Sequence, residues 1–223
     1  QIPALVKRQQ ANNTQALSLV ISPLIALMKD QVDGLRRKGI DASFINSSLG
    51  RREREERYDK LGKGEYDLLY VTPERFRKAE FLEALSHREI VLLAVDEAHC
   101  ISEWGHDFRP DYTRLEEFRR LLNHPTTIAL TATATPEVQS DIVRQLGLTP
   151  DEVTLYHEGI DRPNLRLEVR DIWGDDEKLS EIQQTIDFVQ SEGGSGIIYF
   201  TLIKSLESFS EKLRERKIGH FVY

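Results

Sequence analysis

An apolar run that ends in two adjacent carboxylates constrains the fold of this chain more than any other feature. Residues 91–95 (VLLAV) have no polar alternation, which is typical of a strand covered on both faces in a parallel sheet. Asp96 and Glu97 follow directly, so we expect them at the carboxyl end of that strand, where open α/β sheets bind ligands. Two neighbouring buried acids are unfavourable without a cation. The pattern predicts a divalent-cation site, and an Asp-Glu pair that only begins the next helix is the alternative.

Strand patterns alternate with helical patterns along most of the chain. Besides 91–95, strands are predicted at 16–21, 40–46, 67–71 and 126–130, and helices at 24–35, from 51 to the glycines at 62–64, at 112–122 and at 138–146. Short links between such elements are typical of parallel βαβ units with right-handed crossovers. The predicted fold class is therefore α/β, with a parallel sheet flanked by helices.

Three strand ends carry a hydroxyl residue followed by proline, at Ser22-Pro23, Thr72-Pro73 and Thr135-Pro136. A Ser or Thr N-cap followed by Pro favours a helix start, so each pair predicts the first residue of a helix. Helix N-termini at this edge of a sheet present unpaired N–H groups and a partial positive charge, which suits the phosphates of a nucleic-acid backbone. The alternative is that each pair only starts a helix.

A change of pattern near residue 160 predicts a domain boundary. Residues 159–165 (GIDRPNL) contain glycine and proline and have little periodicity, so we predict one domain over 1–160 and another over 161–223. In the second domain, strands are predicted at 165–169, 196–200 and 218–223. Its helices are predicted from two apolar stripes: Leu179, Ile182, Ile186 and Val189, and then Leu206, Phe209 and Leu213.

The composition is that of an ordinary globular protein. Hydrophobic residues make up 39% and charged residues 30%, and no apolar run approaches the roughly 20 residues of a membrane helix. We therefore expect no membrane association and a cytoplasmic location. The formal charge of -7 lowers the expectation of broad adhesion to duplex DNA without excluding a local basic groove. Cys100 is the single cysteine, and we predict that it is a buried packing residue.

The residues around the acid pair resemble a known family. Asp96-Glu97-Ala98-His99 resembles the DEAH box of superfamily 2 helicases, and residues 100–110 (CISEWGHDFRP) resemble the aromatic-rich loop of RecQ-family DNA helicases. Four further segments resemble motifs Ia, Ib, III and IV of these enzymes: 21–32 (ISPLIALMKDQV), 70–76 (YVTPERF), 129–135 (ALTATAT) and 195–213. The resemblance implies a RecA-like parallel sheet flanked by helices, which is the P-loop NTPase fold, followed by part of a second RecA-like domain.

The resemblance also implies a function and a set of site residues. It implies an enzyme that couples ATP hydrolysis to 3′–5′ translocation on single-stranded DNA and to duplex unwinding in DNA repair and recombination. In that scheme Asp96 holds Mg²⁺, Glu97 activates the attacking water, and His99 links the nucleotide site to Thr131 and Thr133. DNA contacts are implied for Ser22, Pro23, Lys29, Thr72, Pro73, Arg75, Trp104, His106, Phe108 and Arg109. The implied cofactors are ATP and Mg²⁺, and the implied partners are single-stranded and partly duplex DNA.

Two expected family features are missing from these 223 residues. No G-x-x-x-x-G-K-[S/T] loop occurs, so the phosphate-binding loop lies upstream or has been lost, and motifs V and VI would follow Tyr223. We therefore expect little ATPase activity from residues 1–223 alone.

One alternative function is that of a non-catalytic remnant that binds nucleic acid or protein. Another, a DEAH-box RNA helicase, is disfavoured by the aromatic loop. The expected location is the bacterial nucleoid, or the nucleus in a eukaryote.

The aromatic segment after the acid pair yields a first prediction. Trp104 and its neighbours can stack on DNA bases, each stack contributing about 1–3 kcal/mol, while tethered to Asp96 and Glu97. In a complete protein, Trp104→Ala should lower DNA-stimulated ATP hydrolysis and leave folding intact. Steady-state ATPase rates with and without single-stranded DNA measure this, and an unchanged stimulation would argue that Trp104 only fills the core.

Overall fold

The computed structural model describes residues 1–11, 13–102, 108–157 and 163–223. The chain divides into two compact units, Gln1–His157 and Glu158–Tyr223. The first unit contains a five-stranded parallel sheet with helices packed against it.

The sheet of the first unit is parallel throughout, with strand order β2-β3-β1-β4-β5. Its strands are β1 (Ala16–Ile21), β2 (Ala42–Ile45), β3 (Leu68–Val71), β4 (Glu89–Val95) and β5 (Thr127–Ala129). The central strand β1 pairs with β3 on one side and with β4 on the other. All four residues of β3 are buried, because helices cover both faces of the sheet. The predicted α/β class is confirmed.

Six α-helices in the described part of the first unit accompany the sheet: α1 (Ile2–Ala11), α2 (Ile25–Arg36), α3 (Arg51–Gly62), α4 (Ala79–Ser86), α5 (Leu115–Leu121) and α6 (Pro136–Gln145). Short 3₁₀ helices lie at Pro73–Arg77, Ala98–Ile101, Pro110–Arg114 and Pro150–Glu152. The predicted helix over 112–122 is thus a 3₁₀ turn that continues into α5. In the parts of the chain that the structure describes, no helix combines the length and apolar character needed to cross a membrane.

The core consists of two layers, one on each face of the sheet. Alternate residues of β3 enter different layers: Leu68 and Tyr70 pack with residues of α1 and α2, whereas Leu69 and Val71 pack with residues of α3 to α6. Cys100 is fully buried in the second layer, as predicted. Both layers pack against β1, the central strand of the sheet in the first unit, and thereby restrain the carboxyl end of that strand.

The three predicted helix starts have different outcomes. The prediction for Ser22-Pro23 is wrong, because α2 begins at Ile25 and its N-cap is Leu24. Thr72-Pro73 begins only a five-residue 3₁₀ helix, and the Thr72 hydroxyl donates to the Glu74 carboxylate instead of accepting from the backbone. The prediction for Thr135-Pro136 is confirmed, since Thr135 Oγ1 accepts a hydrogen bond from the Val138 N–H at the start of α6.

The described part of the second unit is helical where helices were predicted and has no regular secondary structure elsewhere. Its helices are α7 (Asp175–Ser191) and α8 (Ile203–Glu215), and Leu179, Phe209 and Leu213 form its core. The strand predictions at 165–169, 196–200 and 218–223 are wrong for this structure, because no backbone ladder joins these segments within residues 163–223. A strand pattern forms a strand only beside a hydrogen-bonding neighbour. Without one, Leu167 and Val169 are 93% and 94% exposed.

Candidate functional site

The three neighbouring strands β3, β1 and β4 end level with one another at one edge of the sheet. The predicted site residues directly follow these strand ends. Ile21, the last residue of β1, is in register with Val71 of β3 and with Val95 of β4. The residues that follow these strand ends therefore lie side by side at one edge of the sheet. The backbone continues the pairing by one step, since the Ser22 N–H donates to the Val71 carbonyl at 3.0 Å and the Asp96 N–H donates to the Ile21 carbonyl at 2.8 Å.

Asp96 is held by hydrogen bonds at both side-chain oxygens. Its Oδ1 accepts from the Glu97 N–H at 3.1 Å, and its Oδ2 accepts from the Ser22 hydroxyl at 3.1 Å. Its backbone carbonyl accepts from the Tyr112 hydroxyl at 3.2 Å. Burial raises the pKa of the Tyr112 phenol well above its ordinary value, so this hydroxyl stays protonated and available as a donor. The carboxylate of Asp96 is thus oriented from two neighbouring strands.

Glu97 has a backbone conformation that is uncommon outside glycine. Its φ and ψ are both 47°, in the left-handed region. The turn leads directly into the 3₁₀ helix Ala98–Ile101, whose first N–H donates to the Leu130 carbonyl at 2.9 Å beyond β5. Non-glycine residues held in this region cost about 1–3 kcal/mol, and such strain clusters at functional sites. The neighbouring strand therefore fixes a strained turn at the second acid.

His99 connects Glu97 to the segment that follows β5. The imidazole is buried, with Nδ1 2.9 Å from Thr131 Oγ1 and 3.3 Å from Glu97 Oε2. Thr131 Oγ1 also accepts from the Thr133 N–H at 3.2 Å, so Thr133 takes part through its backbone. The acid pair and the predicted coupling residues are therefore joined by direct contacts.

The predicted DNA-sensing loop is anchored at both ends. Trp104 and His106 lie outside the described residues. Before them, the Ser102 hydroxyl donates to Asp141 Oδ2 of α6 at 2.7 Å. After them, the Arg109 N–H donates to the Cys100 carbonyl at 2.9 Å, and Arg109 Nη1 donates to the Pro23 carbonyl at 3.3 Å. The loop is thereby tied both to the strand end that carries Ser22 and to the helix that follows Thr131.

The other residues with predicted DNA contacts differ in exposure. Lys29 is exposed on α2, and Phe108 is 36% exposed. Ser22, Pro23, Thr72, Pro73 and Arg75 are buried. The Arg75 side chain has no hydrogen-bond partner at Nε, and its Nη2 is 3.8 Å from Glu74 Oε1. Arg75 is therefore a buried cation whose carboxylate partner among the described residues, Glu74, is distant.

Two residues at the site were not found by the sequence patterns. Tyr112 supports Asp96, and Asp141 anchors the loop through Ser102. Tyr112 lies just past the proline of the aromatic segment and was predicted only as the start of a helix. Asp141 is one acid on an amphipathic helix. Neither residue stands out in the sequence, because their roles arise from contacts between elements.

The donor set at the acid pair fits a magnesium ion that is bound together with phosphate. Mg²⁺ in proteins is commonly held by one or two carboxylates, with water and phosphate oxygens completing the shell. Asp96 uses one acceptor site on each oxygen, which leaves further lone pairs for a metal or its waters. Among the residues that the structure describes, no cluster of three or more His, Cys, Asp or Glu side chains could hold a metal. The arrangement fits a shared metal–phosphate site and not an all-protein cage.

Similarity to known proteins identifies the family. The DEAD/DEAH box helicase family matches residues 1–142, and the chain belongs to it. The chain is 42% identical over its whole length to the ATP-dependent DNA helicase RecQ of Pasteurella multocida, and 42% identical over 98% of its length to that of Bacillus subtilis. The predicted resemblance to RecQ-family DNA helicases is confirmed. The chain spans about a third of the length of these curated relatives, 33% and 35%.

A solved structure supports the fold. The crystal structure of the Pyrococcus furiosus Hef helicase domain matches 97% of this chain and 48% of that one, with a TM-score of 0.50 and 15% sequence identity. At this identity the similarity concerns the fold alone. The RecA-like parallel sheet that the sequence predicted is confirmed.

The strained turn at Glu97 yields a second prediction. Because glycine adopts the left-handed region without strain, Glu97→Gly should raise the free energy of unfolding by about 1 kcal/mol. Urea unfolding followed by circular dichroism measures the change. His124→Gly is the matched control: His124 is exposed, has a φ of 51° and lies away from the acid pair, so it should give a similar gain. A loss of stability for Glu97→Gly alone would mean that the Glu97 side chain stabilises the turn.

Proposed function

We propose that this chain is the part of a RecQ-type ATP-dependent DNA helicase that positions the hydrolytic acids and contacts DNA. The observation that best supports this proposal is the geometry of the acid pair after β4. Asp96 is oriented by hydrogen bonds to both carboxylate oxygens, and Glu97 is held in a strained turn beside His99. The RecQ relatives are ATP-dependent DNA helicases by name, which supports the same activity here. In the proposed organisation, residues 1–160 form the first RecA-like domain and 161–223 the start of a second.

The acids have different roles in this proposal. Asp96 holds Mg²⁺ through its free lone pairs, directly or through water. When bound with ATP, Mg²⁺ neutralises charge on the β- and γ-phosphates. Glu97 accepts a proton from the attacking water, a role that requires a carboxylate with access to solvent, and its side chain is 31% exposed. His99, buried between Glu97 and Thr131, fixes the direction of the Glu97 carboxylate.

DNA binds, in this proposal, along the same edge of the sheet. Lys29 is exposed on α2, the helix that follows β1. Phe108 is 36% exposed and directly precedes Arg109, and Arg109 Nη1 donates to the Pro23 carbonyl. Lys29 and Arg109 contact phosphates, whereas Phe108 and the rings of Trp104 and His106 stack on bases. Thr72, Pro73 and Arg75 are buried, so they support the DNA-contacting surface from the turn after β3 and do not themselves contact phosphates. Translocation runs 3′ to 5′ along one strand. Single-stranded and partly duplex DNA are the partners.

Coupling between DNA and hydrolysis follows from the anchors of the loop. A DNA strand that binds Trp104 and His106 pulls on Ser102 and Arg109, which are hydrogen-bonded to Asp141 and Pro23. Pro23 directly follows Ser22, whose hydroxyl donates to Asp96, and Asp141 lies on α6, the helix that follows Thr131. Hydrolysis is therefore faster when DNA is bound. The protein acts where DNA is repaired and recombined, in the bacterial nucleoid or in a nucleus.

Glu97→Gln tests this proposal. The amide keeps the size of the side chain and removes the base, so kcat for DNA-stimulated ATP hydrolysis by the full-length protein should fall about 10²–10⁴-fold, with nucleotide binding retained. Steady-state ATPase rates and binding of a fluorescent ATP analogue measure the two effects. Glu89→Gln is the matched control, because Glu89 begins the same strand at its opposite end and is exposed.

Three outcomes separate the proposal from its competitor. Loss of hydrolysis in Glu97→Gln, with Glu89→Gln unaffected, supports a catalytic acid. An equal rate in wild type and Glu97→Gln contradicts it. A full-length wild-type protein that binds DNA and hydrolyses no ATP favours the non-catalytic remnant instead.

A further inference from the structure

The environment of Ser22 does not fit the predicted DNA-contacting role. Its side chain is 1% exposed, and its hydroxyl donates to Asp96 Oδ2 at 3.1 Å. Its backbone N–H donates to the Val71 carbonyl at 3.0 Å. A buried hydroxyl whose proton is already donated within the protein has little surface to offer a phosphate. The hydrogen bond crosses instead from the end of β1 to the residue after β4.

We infer that Ser22 is a positioning residue for Asp96: its hydroxyl sets the orientation in which the Asp96 carboxylate holds Mg²⁺ with ATP. The inference rests on the proposed function, since it takes Asp96 as the metal residue. Ser22 itself touches neither metal nor nucleotide in this scheme. It acts through the carboxylate that it contacts.

The geometry explains why Asp96 needs such a partner. The terminal torsion of an aspartate is broad, so the backbone alone does not fix the plane of its carboxylate. The Glu97 N–H restrains Oδ1, and the Ser22 hydroxyl restrains Oδ2 from the neighbouring strand. Mg²⁺ requires near-octahedral geometry, so a freely rotating carboxylate would bind it less well. Partners that orient metal-binding groups in this way typically contribute about 10–100-fold to metal affinity.

The position of Ser22 also connects the metal residue to the DNA-sensing loop. The next residue, Pro23, accepts a hydrogen bond from Arg109 through its carbonyl. The two-residue segment Ser22-Pro23 thus contacts the loop on one side and Asp96 on the other. A displacement of Arg109 by DNA would shift Pro23 and change the Ser22–Asp96 hydrogen bond.

The inference is tested with Ser22→Ala in the full-length protein. Mn²⁺, used in place of Mg²⁺, is titrated by electron paramagnetic resonance in the presence of a non-hydrolysable ATP analogue. The dissociation constant for Mn²⁺ should rise about tenfold, while affinity for single-stranded DNA, measured by fluorescence anisotropy, stays unchanged. Ser22→Cys keeps a weaker donor of similar size and should give a smaller rise, which provides the same test if Ser22→Ala does not fold.

Ser18→Ala is the matched control. Ser18 lies on β1, the strand that Ser22 follows, is also 1% exposed, and donates its hydroxyl hydrogen bond to the Ala4 carbonyl at 3.1 Å. It lies four residues before Ser22, about 13 Å along the strand. The control therefore removes a comparable buried hydrogen bond without touching Asp96, and Mn²⁺ affinity should stay at the wild-type value.

The outcomes separate this inference from the function on which it rests. Unchanged Mn²⁺ affinity in Ser22→Ala overturns the positioning role. If the same variant also loses affinity for DNA, Ser22 contacts DNA instead. Asp96→Asn serves as the reference variant. If Asp96→Asn weakens Mn²⁺ binding and Ser22→Ala does not, only the inference fails. If Asp96→Asn also binds Mn²⁺ normally, the proposed metal site fails.

Discussion

The register of the central strand β1 is the constraint on which the site depends. Because Ile21 is level with both Val71 and Val95, the residues after these three strands meet at one edge of the sheet. The backbone hydrogen bonds of Ser22 and Asp96 then continue the ladder past the strands. Two core layers pack against both faces of β1, and this close packing restrains the edge. A rigid edge is what allows a single hydroxyl to orient a carboxylate on the next strand.

Local strain and long-range contacts are combined at the second acid. Glu97 has a left-handed backbone, and the Ala98 N–H bond to the Leu130 carbonyl holds the chain in that turn. The turn puts the Glu97 carboxylate within reach of His99, which also contacts Thr131. The surrounding structure maintains the strain, and in the proposed function the strained turn orients Glu97 for hydrolysis. The functional proposal therefore rests on geometry that a relaxed turn would not produce.

The sequence predicted the helices and strands of the first unit well, and the contacts between side chains less well. The bounds of β1 and α3 and the location of the acid pair follow from periodicity and glycine positions, because burial on both faces leaves a clear pattern. Ser22 was predicted as a helix N-cap from its local sequence. Its hydroxyl instead donates a hydrogen bond to Asp96, which is 74 residues away in the sequence. The left-handed turn at Glu97 and the support from Tyr112 leave no trace in composition. Strand patterns in the second unit could not reveal whether a pairing neighbour is present.

The most direct test of the account is the location of the metal. Crystals of the full-length protein with Mn²⁺ and a non-hydrolysable ATP analogue allow the ion to be located by its anomalous scattering. The account predicts a peak at the carboxyl end of β4, bound to the Asp96 carboxylate directly or through one water, with Ser22 still donating to the other oxygen. A nucleotide-bound Mn²⁺ whose coordination and water shell do not include Asp96 would contradict it.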